Sequence, residues 1–84
     1  MPVLSRFYGI IIRMYFQQAE HNPPHIHAIY GEDMAAVDIQ TGEVIERQLP
    51  PKALSMVKEW INIHKAELLK MWETQEFSSL SPLE

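Results

Sequence analysis

The chain contains no cysteine. Disulfides, thiolate metal sites and cysteine nucleophiles are therefore excluded, and a bound metal would have to rest on His, Asp or Glu. No apolar run is long enough to be read as a transmembrane helix. The opening, Met1 to Tyr8, lacks a basic cap leading into an uninterrupted apolar region, and Arg13 stops the apolar run that follows, so it is a poor match to a signal peptide. A cytoplasmic location away from membranes is the resulting expectation. Basic residues are also few: seven Lys and Arg stand against eleven Asp and Glu, for a formal charge of −4. Nucleic-acid binding depends on neutralising many phosphates. With Lys52, Lys58, Lys65 and Lys70 all on one predicted helix, DNA is not expected as a partner and RNA is disfavoured.

What is present suits one small domain with a single core. The 84 residues are 46% hydrophobic and include two Trp, three Phe and three Tyr, each of which buries roughly 150–250 Å² when enclosed. The stretch that stands out is His21-Asn22-Pro23-Pro24-His25-Ile26-His27, which gathers three histidines and a Pro-Pro pair between two apolar segments.

Alternation of apolar residues predicts a first strand over Phe7 to Phe16, with Tyr8, Ile10, Ile12, Met14 and Phe16 toward the core and Gly9, Ile11, Arg13 and Tyr15 on the other face. Pro23-Pro24 holds the next connection extended, because each ring fixes its own φ and restricts the residue before it. A second strand, His25 to Tyr30, then places His25, His27 and Ile29 on one face and Ile26, Ala28 and Tyr30 on the other. Gly31-Glu32-Asp33 is turn chemistry. Met34 to Gln40 forms a third strand with Ala35, Val37 and Ile39 inward, and Thr41-Gly42 turns into a fourth, Glu43 to Arg47.

Pro50-Pro51 opens a helix, since a first helical turn does not need its N–H groups. From there to about Gln75, Leu54, Val57, Trp60, Ile61, His64, Leu68 and Trp72 recur three and four apart. The predicted class is α+β: a four-stranded antiparallel sheet followed by one long C-terminal amphipathic helix, ββββα, in a single domain over residues 1–76. Residues 77–84 read as a tail, either frayed or lightly docked.

A single helix covers one face of such a sheet. The other face carries Arg13, Tyr15, His25 and His27, with Asp38 beside them, and is the candidate functional surface. Ile11, Ile29 and Tyr15 add an apolar patch there, the kind that marks an interface with a second small protein or another copy of the chain.

His25-Ile26-His27 sets two imidazoles about 7 Å apart along one side of a strand, a start for a Zn, Ni or Mn site that His21 would complete, or failing that Asp38 or Glu32. His25, His27 and Glu32 match the H-x-H-x₄-E spacing of cupin metal sites, although the flanking glycines and the second histidine motif are missing. Without a metal, His25 or His27 could act as general acid or base and Arg13 could hold a phosphate, with Tyr15 stacking on a base, as in a small ribonuclease. His64, in the apolar stripe of the helix, reads as a core histidine bonded to a backbone carbonyl. No reaction is named by these residues.

Tyr8-Gly9-Ile10, Met14-Tyr15, His21-x-Pro23-Pro24-His25-x-His27, Tyr30-Gly31, Gly42-Glu43, Leu49-Pro50, Glu59-Trp60 and Glu67-Leu68 with Trp72 together resemble a family of small bacterial proteins, the domain of unknown function 4160. The resemblance runs from Phe7 to Trp72. It brings no established activity. It implies a protein that is one half of a two-gene module, and hence an interaction module of toxin–antitoxin type. The aspartate common in the family before the proline stretch is represented here by Glu20-His21-Asn22.

Overall fold

A computed structural model describes residues 3–15 and 23–84. Five strands and one helix follow one another: β1 Val3–Phe7, β2 Ile10–Arg13, β3 His25–Tyr30, β4 Asp33–Asp38, β5 Val44–Arg47 and α1 Pro51–Thr74. The strands form one antiparallel meander in chain order, and the α+β class with its C-terminal helix holds. The sheet has five strands rather than four because the long first strand of the sequence reading is two. Tyr8 and Gly9, with φ of 49° and 80°, make a tight hairpin turn in which both residues take the left-handed conformation that matches strand twist. Tyr8 is consequently exposed instead of facing the core. At Gly9 a side chain would be strained by that φ and would also press on the Tyr30 ring, 3.4 Å from where a Cβ would stand.

Beyond this turn the alternation holds along most of the sheet, although Tyr30, expected on the core face with Ile26 and Ala28, is exposed, and Phe16, also expected there, lies outside the described residues. Ile10, Ile12, Ile26, Ala28, Ala35 and Val37 are buried on one face of the sheet, against Val57, Trp60, Ile61 and Leu68 of α1. Opposed residues across the strands share a face, and the register aligns Ile12, Ala28 and Ala35 on the core side, with the exposed Arg47 ending the row on β5. One residue along, Arg13, His27, Ala36 and Glu46 line up on the other side. A bulge between Ala36 and Val37 keeps both rows continuous into β5.

The helix starts at Pro51 and ends at Gln75, whose φ of 61° and N–H bond to the Met71 carbonyl cap the last turn. It kinks at His64, where φ is −105° and ψ is 16°. The tail docks. Leu80 N–H donates to the Leu4 carbonyl of β1 at 2.7 Å, and Phe77, Leu80 and Leu83 pack against the core. The Ser81 carbonyl accepts from both Trp60 Nε1–H and His64 Nε2–H, each at 2.9 Å. His64 is thus the core histidine bonded to a carbonyl that its place in the stripe suggested. Among the described residues no helix is long and apolar enough to cross a membrane.

Candidate functional site

The Pro-Pro pair shapes the site through its carbonyls as well as its rings. The Pro24 carbonyl accepts from Ile39 N–H at 2.9 Å, tying the entry of β3 to the end of β4. The Pro23 carbonyl is 2.9 Å from His25 Nδ1. A carbonyl can only accept, so the His25 proton sits on Nδ1 and the imidazole presents Nε2.

His25 and His27 leave β3 on the face away from the Ile26 and Ala28 side, and both are half-buried. Their rings stand edge to face with centroids 5.2 Å apart. Tyr15, just past β2, meets the His27 ring at 4.4 Å, also edge to face. At the other end Trp72 of α1 lies 5.0 Å from the His25 ring. Four rings, Tyr15, His27, His25 and Trp72, therefore run in contact from the end of β2 to the last turns of the helix. Helical spacing marked Trp72 as core or core-edge, and its place beside His25 is something only the fold decides.

Arg13 lies directly opposite His27 in the β2–β3 register. Arg13 Nε and His27 Nδ1 are both shielded from solvent, and neither has a hydrogen-bond partner among the described residues. An unpaired buried polar group costs on the order of 1–3 kcal/mol, so this pair is a local weakness unless something else meets it. The His27 pKa is lowered, first by burial, then by the neighbouring His25, with Glu46 pulling the other way. Glu46 was not among the residues singled out from the sequence. Its signal is its place in the row Arg13, His27, Ala36 and Glu46, which becomes readable only once the β4–β5 bulge is known. Beside that row Ile11, Ile29 and Met34 form a half-buried apolar row.

The carboxylates considered as further metal ligands are placed elsewhere. Asp38 is opposite His25, but its Oδ1 accepts from Gln40 N–H at 2.7 Å and Thr41 N–H at 3.1 Å and so shapes the next turn. Glu32 lies in the turn after Tyr30, at the far end of β3, and five residues of strand rise put it roughly 16 Å or more from His25. That removes the cupin-like set. Among the described residues no group of three His, Cys, Asp or Glu could hold a metal ion. His21, the remaining expected ligand, lies outside the described residues.

A small antiparallel meander with one helix on its inner face, and a paired histidine motif set among aromatic rings on its outer face, is the class this fold and site define. Within that class the chain belongs to the family described as Domain of unknown function (DUF4160), whose profile matches residues 9–73. The match begins in the β1–β2 turn and ends at the last turn of the helix, so it contains Arg13, Tyr15, His25, His27 and Trp72. The segments that dock on each other, β1 and the tail, flank it. No curated protein and no solved structure gives a significant match to the chain.

Proposed function

We propose that this protein is an interaction module of toxin–antitoxin type, and that the sheet face bearing Arg13, Tyr15, His25 and His27 takes another protein chain. The observation that carries the reading is that Arg13 Nε and His27 Nδ1, on register-partner residues, are both buried without hydrogen-bond partners among the described residues, beside the apolar row Ile11, Ile29 and Met34. Interfaces commonly combine apolar area with a few polar groups that gain their hydrogen bonds only on association. The charge of −4 favours a protein over bare RNA on this face. Co-expression with the product of the adjacent gene should yield a complex that His27→Ala and Tyr15→Ala weaken. Association unchanged in both variants would move the interface elsewhere.

One observation favours a second reading, a Zn²⁺, Ni²⁺ or Mn²⁺ site on His21, His25 and His27. The bond from His25 Nδ1–H to Pro23 leaves Nε2 as the donor nitrogen, an arrangement common among metal-binding histidines. Elemental analysis of untagged protein and thermal melts with each metal and with EDTA test it. A stoichiometric metal and a saturable rise in Tm are expected if it holds, and neither is seen if it fails.

A further inference from the structure

A helix about 10 Å wide with its side chains cannot cover a sheet that spans about 19 Å from its first strand to its fifth. α1 runs against β3, the middle strand, so a flank is left on either side of it. The flank at β1 is closed by the chain itself. Ser79, Leu80 and Pro82 lie along Val3 to Arg6, Leu80 packs against the core, and its N–H donates to the Leu4 carbonyl on the β1 edge. The flank at β5 stays open. There a groove of about 490 Å³ runs between β5 and the first two turns of α1, lined by Val44, Leu49, Pro51 and Leu54 and bordered by Glu43 and Lys58.

The strand beside the groove has a free edge. β5 pairs with β4 on one side only, and among the described residues no backbone hydrogen bond reaches its other side. Unpaired N–H and C=O groups along a strand are a template for one more strand. β5 is four residues long and bulged, with the extra residue Ile45 43% exposed. Such an edge discourages long sheet-to-sheet pairing and admits a short segment.

Edge and groove fit the same occupant. A chain laid along β5 turns alternate side chains toward the core side, where Val44, Leu49 and Leu54 offer an apolar lining. The helix wall of the groove is basic. Lys65 donates to the Gln40 carbonyl at 2.9 Å, and Lys58, seven residues before it, passes Gly42, 3.7 Å from where a Cβ would stand. Lys58 has no ion pair among the described residues, although Glu43 borders the same groove.

We propose that the β5 edge and this groove bind an extended segment of a partner protein as a sixth strand, with an aliphatic side chain between Val44, Leu49 and Leu54 and an acidic one against Lys58. The site opens on the core side of the sheet, away from His25 and His27, and stands independently of the reading given for that face. Main-chain bonds to a strand this short, with one filled groove, place the affinity at the weak end of specific association, micromolar or above.

Display of random dodecapeptides against the full chain tests this. Sequences enriched over an unrelated control protein should carry an aliphatic residue with Asp or Glu close by. Synthetic copies should shift the NMR amide signals of Val44 to Arg47 together with those of Leu54 and Lys58. N-methylation of alternate peptide residues should weaken binding at least roughly tenfold in the register that faces β5 and leave it nearly unchanged in the other. Lys58→Glu should weaken the acidic peptides at least roughly fivefold, and a peptide with Lys in place of the acid should recover that loss, with circular dichroism checking that the variant is folded. The absence of enriched peptides overturns the proposal, as does binding indifferent to both methylation registers or to Lys58→Glu. Shifts confined to Arg13, Tyr15, His25 and His27 would also overturn it while supporting the interaction reading of the outer face.

Discussion

The two faces of this sheet differ by one residue of register and by almost everything else. The row Ile12, Ala28 and Ala35 is fully enclosed beneath α1. The row Arg13, His27 and Ala36, displaced by one residue, holds two buried polar atoms that nothing among the described residues satisfies. The histidines repeat the contrast. His64, on the enclosed side, gives its Nε2 proton to the Ser81 carbonyl, whereas His27 keeps a buried nitrogen without a partner among the described residues. The enclosed face is not wholly complete either, since Ser5, the register partner of Ile12, has a buried Oγ with no hydrogen-bond partner among the described residues, so the contrast is one of degree: one such atom on the core side against two in the Arg13–His27 row.

The sharpest way to break this picture is to empty the enclosed face. Trp60 is wholly buried, stacks with Phe7 at a ring distance of 5.9 Å and donates to the tail. Trp60→Ala should cost about 3–5 kcal/mol in urea melts, a large part of the stability of a chain this size. A loss below about 1 kcal/mol would show that the core is centred elsewhere.

A paired comparison comes next. Ile12→Ala should lose about 2–5 kcal/mol, and Ile11→Ala, its neighbour on the outer face, less than about 1 kcal/mol. Equal losses would mean that both faces are sealed in the isolated chain.

Ending the chain after Glu76 should cost on the order of 2–4 kcal/mol. It strips Phe77, Leu80 and Leu83 from the core and leaves the Trp60 and His64 donors without Ser81. A truncated chain as stable as the full one would make the tail an ornament rather than a part of the fold.

The smallest effect concerns acid. The pKa of His27 is held below 6.5 in the folded chain, so the unfolded chain takes up a proton first as pH falls. The stability that His27 contributes is complete above about pH 6.5 and declines as the pH drops from there toward its folded pKa. Urea melts at pH 7.5 and 5.5 should show a greater loss in wild type than in His27→Gln, and NMR titration of the ring should place its pKa below the usual value. An identical loss in both proteins would assign the acid sensitivity to other groups.

Most of the sheet could be read from alternation, because a period of two sorts side chains onto faces whatever the partners are. The placement of His25 and His27 opposite Ile26 and Ala28 follows from that period alone. The Tyr8-Gly9 hairpin did not, since Tyr8 fits the alternation of Ile10 and Ile12 and is not a residue that usually marks such a turn. The helical stripe located Trp60, Ile61, His64 and Leu68, but in the last turns Met71 is buried and Trp72 is only partly covered and meets His25. The ring chain at the site lay out of view for that reason.

Local order in this protein was decided by the chain itself: periodicity chose strand or helix, prolines set where β3 and α1 begin, and alternation chose the face of each imidazole. Tertiary structure alone decided that Arg13, His27, Ala36 and Glu46 form one row, that Trp72 meets His25 and that Ser81 closes over Trp60 and His64. Each of these joins residues distant in sequence through a register, a bulge or a kink, and such offsets come from packing of the whole domain rather than from any local preference.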